Sequence, residues 1–300
     1  MTVLVVGDLV TDVVVVHEGP IETGTDTLAA ITPRGGGQGA NTAAWLAYAG
    51  SPVRLIAAVG DDPAGHERLA ELAAAGVDCA VRAHPGATTG TVVVLTGADE
   101  RTLITDPGAC LLLDPADVTA AIAGAPAATH LHLSGYPLLN EGSRAGARAA
   151  LAAARERGLT ISVDAASAAP VRRVGAEAFL SWVRGTDLLL CNADEARELA
   201  GPGSPAAQAA ALALHARNVV VKLGPDGALW HDGRDGTVRL WTGPRVPVKD
   251  PTGAGDAFAA GLLTAWLSGS SPEAALKAGA ELGAAAVGLI GGRPVSRRDR

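Results

Sequence analysis

Short runs of β-branched and aliphatic residues alternate along this chain with longer alanine- and leucine-rich stretches, and that alternation narrows the possible folds most. VLVVG is followed by a helical pattern over 39–49, VRLIAAVG by one over 63–75 and THLHLSG by one over 142–157. LTISVDA precedes a helical pattern over 175–183 and DLLLCN one over 193–200, while NVVVKLG leads into a β-like piece. The strand runs are apolar almost throughout, as expected for a parallel sheet with helices on both faces. Only nine of the 300 residues are aromatic (five Trp, two Tyr, two Phe) although 48% are hydrophobic, so the core must be aliphatic. That favours α/β over an aromatic-rich β-sandwich. A chain of this length can bury one large core, and with no repeat or low-complexity linker, residues 1–300 read as a single domain. Two turn-rich segments, 13–32 and 77–106, interrupt the alternation. They are expected to form a small β-sheet packed as a lid.

A formal charge of −7 and a pI near 5.5 argue against nucleic-acid binding, which needs a basic surface to displace counterions. The RRDR run at 297–300 is expected to be a solvated tail. Cys79, Cys110 and Cys191 lack CxxC spacing, so neither a disulfide framework nor a zinc site is implied and a reducing cytoplasm fits. MTVLVVGDLV has no basic leader and meets Asp8 early, so no signal peptide is expected. The nearest approach to a membrane span, GAAAVGLIGG at 283–292, is too short. His130 and His132 share one face of a strand with no third ligand nearby, so packing or site lining is expected over metal binding.

Polar residues recur where the predicted strands end: Gly7 and Asp8, Ser134 and Gly135, Asp164, Asn192, and Lys222 to Gly224. Ligands of open parallel sheets bind beyond these ends, although such residues are also ordinary caps and turns. DPTGAGDAFAAGLL, at 250–263, brings small residues directly before a helical run. The N–H groups of Gly253, Ala254 and Gly255 can turn toward one point, and the helix over 254–267 adds its positive end, forming an anion hole. The chain has three lysines (Lys222, Lys249, Lys277) and no P-loop motif, so phosphate charge must be met by backbone amides, arginine or metal. Asp256 reads either as complementing the helix dipole or as a base for an attacking hydroxyl. The second glycine cluster, GGGQGANTAAW, reads either as a dinucleotide fingerprint with the wrong spacing or as a close approach to a polyhydroxyl ligand, with Asn41 offering donor and acceptor.

GGGQGANTA followed by DPTGAGDAF resembles the two signatures of the ribokinase (PfkB) carbohydrate kinase family. The resemblance extends to GDLVTD, the NADE at 192–195, VVKLGPDGA and the late GGRP. It implies a ribokinase-like three-layer α/β/α sandwich with a mainly parallel central sheet and a small β-sheet lid. The implied activity is ATP- and magnesium-dependent phosphorylation of a primary hydroxyl. By the resemblance, Asp12, Asn41, Gly36 and Gly37 contact the acceptor, Asp256 is the base, and Gly253, Ala254 and Gly255 form the anion hole. Asn192 and Glu195 would organise magnesium and phosphates through water. Lys222, Gly224, Gly227 and the helix end containing Gly279 would lie along the ATP site. Asp250 and Thr252, with the loop near 287–293, resemble a monovalent-cation site, with potassium the expected ion.

The departures fall on the acceptor side. Gln38 stands where ribokinase carries lysine, Ala-Ala-Ser follows Asp164, and Ser134-Gly135-Tyr136 replaces an acidic residue near the sugar. VVGDLVTDVV, GGGQGANTAAW, ERTLITDPGA and HLSGYPLL are together similar to family members acting on pseudouridine, which makes pseudouridine the expected acceptor. A ribose/fructose-type or sugar-phosphate kinase is the alternative, the latter requiring a basic residue such as Arg34 or Arg101. A non-catalytic ligand-binding protein on this fold is the alternative of another class. A homodimer through the lid is also expected.

Overall fold

The computed structural model describes residues 2–17, 19–96, 101–243 and 245–294, with Arg101 described in its backbone only. The RRDR run and residues 97–100 of the expected lid lie outside the described residues. Thirteen strands are present among the described residues. They are β1 (Thr2–Val6), β2 (Val10–His17), β3 (Ala29–Gly36), β4 (Val53–Gly60), β5 (Asp78–His84), β6 (Gly90–Thr96) and β7 (Arg101–Asp106). Then follow β8 (Ala128–Ser134), β9 (Thr160–Asp164), β10 (Leu188–Asn192), β11 (Asn218–Lys222), β12 (Ala228–Asp232) and β13 (Val238–Trp241). The helices are α1 (Gln38–Tyr48), α2 (Pro63–Ala74), α3 (Pro115–Ala123), α4 (Tyr136–Leu139), α5 (Glu141–Glu156) and α6 (Ala168–Val174). The remainder are α7 (Ala176–Val183), α8 (Ala193–Ala200), α9 (Pro205–Leu212), α10 (Ala254–Leu267) and α11 (Pro272–Val287).

Nine strands form one sheet in the order β13-β12-β11-β10-β9-β8-β1-β4-β5. It is parallel except where β12 and β13 join antiparallel at one edge. Side chains from single strands divide between two cores. Leu4 and Val6 of β1, and Leu189 and Cys191 of β10, pack with α3 to α9, whereas Val3, Val5, Leu188 and Leu190 pack with α1, α2, α10 and α11. Burial of both faces explains the near-continuous apolar strand runs. Chain order runs outward in both directions from β1, so the switch of direction lies between β1 and β8, where ligands of such sheets bind.

The second sheet has the order β3-β2-β6-β7. It corrects the expected lid boundaries in two ways. Residues 78–84 form β5, which pairs parallel with β4 at the edge of the large sheet and is tied there by Arg54 Nε to Asp78 Oδ2 at 2.7 Å. A strand that follows a strand and helix of the main layer returns parallel beside that strand, and the turns around 85–89 concealed where the lid began. The first segment of the small sheet also starts earlier, at Val10, and runs to Gly36, the second spanning Gly90 to Asp106. Asp12 and Gly36 therefore sit on lid strands.

Candidate active site

A cavity of about 560 Å³ opens where the carboxyl ends of β1, β8, β9, β10 and β11 meet the small sheet. Asp12, Gly37, Asn41, Asn192, Glu195, Lys222, Gly224, Thr252, Gly253, Gly255 and Asp256 all line it. Residues remote in sequence thus converge on one space. Ser134, Gly36, Ala254 and Asp250 stand just behind this lining, through the contacts described below.

The GAGD turn depends on Gly253, whose φ of 75° is left-handed and whose missing Cβ leaves room for the backbone of Gly292. Ala254 is the first residue of α10, so its N–H and those of Gly255 and Asp256 have no intrahelical partner, and the Ala254 N–H donates instead to the Pro251 carbonyl at 3.3 Å. A helix start of this kind suits an anion. The Lys222 ammonium is beside it: a Cβ on Gly255 would lie 3.3 Å from Lys222 Nζ. Asp256 accepts from Asn41 Nδ2 at 2.9 Å. Burial raises its carboxyl to about 7, against the opposing Asn41 hydrogen bond. A carboxylate at that value can be a base near neutral pH.

Behind Asn41 stands Arg293, unnoticed in the sequence reading. Its Nε donates to Asn41 Oδ1 at 3.3 Å, and Nη2 donates to the Gly36 carbonyl at 2.9 Å. Occupation of the amide oxygen leaves the Asn41 NH₂ to face Asp256. Gly36 in turn has no room for a side chain, because the Asp12 carboxylate fills that space. The N-terminus of α1 is held by Asp8, which accepts from the N–H groups of Gln38 and Gly39 at 3.1 and 3.2 Å. The single Ser134 hydroxyl proton goes to Gln38 Oε1 at 2.5 Å, with Asp8 Oδ1 also within reach at 3.2 Å. Ser134 therefore fastens the start of α1 from beneath.

Asn192 and Glu195 form a capping box on α8: the Glu195 N–H donates to Asn192 Oδ1 at 2.9 Å and the Asn192 N–H to Glu195 Oε2 at 2.8 Å. The second carboxylate oxygen accepts from Asn192 Nδ2 at 2.7 Å. Burial raises Glu195 to about 7. Asp194 also faces the cavity. No group of three or more His, Cys, Asp or Glu that could hold a metal occurs among the described residues, so magnesium fits here only with phosphate oxygens and water completing its shell. Asp250 Oδ1 accepts from the Thr252 N–H at 2.8 Å and its hydroxyl at 2.5 Å, while Oδ2 accepts from the Gly291 N–H at 2.8 Å. That carboxylate braces the two loops whose carbonyls a monovalent cation would need.

Two of the expected ATP-site glycines lie elsewhere. Gly279 is buried in α11 against α10, where a Cβ would meet Phe258 O at 2.9 Å and its ring at 3.1 Å. Its smallness permits close helix packing, and it does not line the cavity. Gly227 turns the chain into β12 with φ of 100°, against the Trp241 carbonyl, and is likewise absent from the lining. His130 and His132 lie below the site in the large sheet. Ser162 Oγ is 2.8 Å from both His130 Nε2 and His132 Nδ1. Burial lowers these histidines to about 3 and about 4, so both are neutral.

Comparison with known proteins agrees with this geometry. Residues 1–298 match the pfkB family of carbohydrate kinases. The ATP-dependent ribose-1-phosphate kinase of Halopiger xanaduensis is 32% identical, over 88% of this chain and 84% of its own. The adenosine kinase of Sinorhizobium meliloti superposes with a TM-score of 0.88 at 25% identity, covering 98% of this chain and 96% of its own. A fructokinase double mutant from Vibrio cholerae O395, solved with fructose, ADP and potassium, gives a TM-score of 0.75 at 27% identity, covering 97% and 93%. A ribokinase-like large sheet and small sheet, both glycine signatures in one cavity, and a match over residues 1–298 place this protein in the pfkB family of carbohydrate kinases.

Proposed function

We propose that this kinase transfers the γ-phosphate of ATP to a primary hydroxyl of an uncharged nucleoside, with pseudouridine as the acceptor. The observation that carries this reading is the lining of the cavity. Asp8, Asp12, Asp164, Asp194, Glu195 and Asp256 line it with a single cation among the described residues, Lys222, which stands beside the anion hole. A phosphorylated acceptor would meet carboxylates at its far end. Arg34 pairs with Asp12 across the small sheet and packs against Gly291, outside the cavity lining; the side chain of Arg101 is outside the described residues. The lid side contributes an apolar wall, Val10, Val92, Leu103, Pro107 and Cys110, with Tyr136 nearby. Such a wall suits the flat face of a base better than the hydroxyls of a free sugar.

In this mechanism Asp256 takes the hydroxyl proton as that oxygen attacks. The open amides at the start of α10 and the Lys222 ammonium hold the charge that develops. Asp12 and Asn41 orient the acceptor. Asn192, Lys222 and Gly224 line the nucleotide side, and Glu195 and Asp194 would hold magnesium through water. Magnesium, when bound, would screen the phosphate charge. Potassium between the loops braced by Asp250 would steady the GAGD turn. ATP supply and three free thiols, Cys79, Cys110 and Cys191, suit the cytoplasm. No helix among the described residues is long and apolar enough to cross a membrane. The solvent face of the small sheet, with Val13, Val15, Ile31, Val93, Leu95 and Ile104 in register, supports a homodimer through the lid.

The test is ADP release with pseudouridine, uridine, adenosine, ribose, fructose and ribose 1-phosphate, with mass spectrometry of the product. Phosphate on the 5′ oxygen of pseudouridine is expected. Turnover of a free sugar or a sugar phosphate with none of pseudouridine would refute the acceptor assignment.

A further inference from the structure

Asp164, the last residue of β9, holds groups from two halves of the site. Its Oδ2 accepts from Lys222 Nζ at 2.6 Å. Its Oδ1 accepts from Gln38 Nε2 at 3.0 Å and from the Ala166 N–H at 3.1 Å. The carboxylate is almost wholly buried, with 3% of its side chain exposed against 14% for Lys222. Its partners are themselves fixed. The Ser134 hydroxyl occupies Gln38 Oε1, so the Gln38 NH₂ must face Asp164. The sheet register pairs Ser134 with Asp164, and Asn192 with Lys222.

Lysine carries a compact charge on a flexible stem, so its position is set by what surrounds it. Three carboxylates attract the Lys222 ammonium: Asp164 on β9, Glu195 on α8 and Asp256 on α10. His132 and Cys191 face it from β8 and β10. Only Asp164 forms a direct ion pair with it among the described residues. If the ammonium moved onto Asp256 it would neutralise the base; if it moved onto Glu195 it would leave the anion hole. We propose that Asp164 is a positioning residue for phosphoryl transfer, holding Lys222 beside the GAGD turn and tying it to Gln38 at the start of the acceptor helix. The proposal rests on the kinase reading, because the turn is taken as the place where the terminal phosphate lies.

The test is a double-mutant cycle with Asp164→Asn, Lys222→Met and the pair combined. It reads the Tm of nucleotide-free protein, calorimetric affinity for ADP and for a non-hydrolysable ATP analogue with magnesium, and kcat. Each single change leaves a buried charge unpaired and lowers Tm, and the double change recovers Tm above either single one. Each single change weakens the ATP analogue about 10- to 100-fold more than ADP, the size expected for one charge-assisted contact to the terminal phosphate. The double variant keeps that loss and the kcat of Lys222→Met, within about twofold, because Asp164 acts through Lys222. Recovery of analogue affinity and kcat together with Tm would show a purely structural pair and overturn the proposal. Multiplication of the two losses in the double variant would also overturn it, since Asp164 would then act on its own. Wild-type protein that binds neither nucleotide would overturn the kinase reading as well, an outcome distinct from the other two.

Discussion

At the scale of single residues, the proposed chemistry turns on the burial of Asp256. Its carboxyl moves from an ordinary 3.8 to about 7. Between those values the folded protein keeps a proton that the unfolded chain releases, so this group's contribution to stability falls as pH rises from about 4 to about 7. Above 7 the ionised base is a net cost. Asp256→Asn should therefore raise Tm at pH 8, by roughly 2–4 °C for each kcal/mol relieved, while lowering kcat by about 10²- to 10⁴-fold. Thermal scans of both proteins at pH 5 and pH 8 check the sign, and the wild-type rate should climb through about pH 7. A second strained point is Ala166, whose φ of 72° is left-handed although it carries a Cβ. Ala166→Gly should gain about 1 kcal/mol in urea unfolding. Asp256 and Asn41 were legible in the sequence because each sits in a glycine signature with its own local geometry. Arg293 and the junction made by Asp164 were not: Arg293 reaches Asn41 across 252 positions, and Gln38 reaches Asp164 across 126.

At the scale of elements, the strand runs and the helices that follow them were readable because both sheet faces are buried and periodicity changes sharply between them. The lid was harder. Asp78–His84 has the composition of the small sheet, yet pairs with β4 because α2 returns the chain there. The 279–291 segment shows the same limit, since a glycine in an alanine-rich helix has the same signal whether it faces a nucleotide or another helix. Contact with Phe258 decides for packing. Gly279→Val should then overpack α10 against α11 and cost about 1–3 kcal/mol in chemical denaturation. The KM for ATP should hardly change. A large rise in that KM without loss of stability would restore Gly279 to the nucleotide site.

At the scale of the whole molecule, a nine-stranded sheet brings Asp164, Asn192 and Lys222 to one side of the cavity, the side proposed for phosphate, and a separate four-stranded sheet walls the side proposed for the acceptor. Asp12, Val92, Leu103 and Thr105 face the cavity from the small sheet, and the opposite face leaves Ile31 and Ile104 at 64% and 57% exposure. An apolar face of this kind on a lid should be covered by a second copy. Ile31→Lys with Ile104→Lys should convert a dimer to a monomer in light scattering; an unchanged mass would remove the lid from the interface. The account as a whole rests on an uncharged nucleoside filling the space between that lid and Asp256. The most direct measurement is kcat/KM for pseudouridine against kcat/KM for ribose 1-phosphate, on the same wild-type preparation with ATP, magnesium and potassium. The account predicts a preference for pseudouridine of at least about 100-fold, the size expected when a site leaves a charged group without a partner. Equal or greater efficiency with ribose 1-phosphate would contradict it.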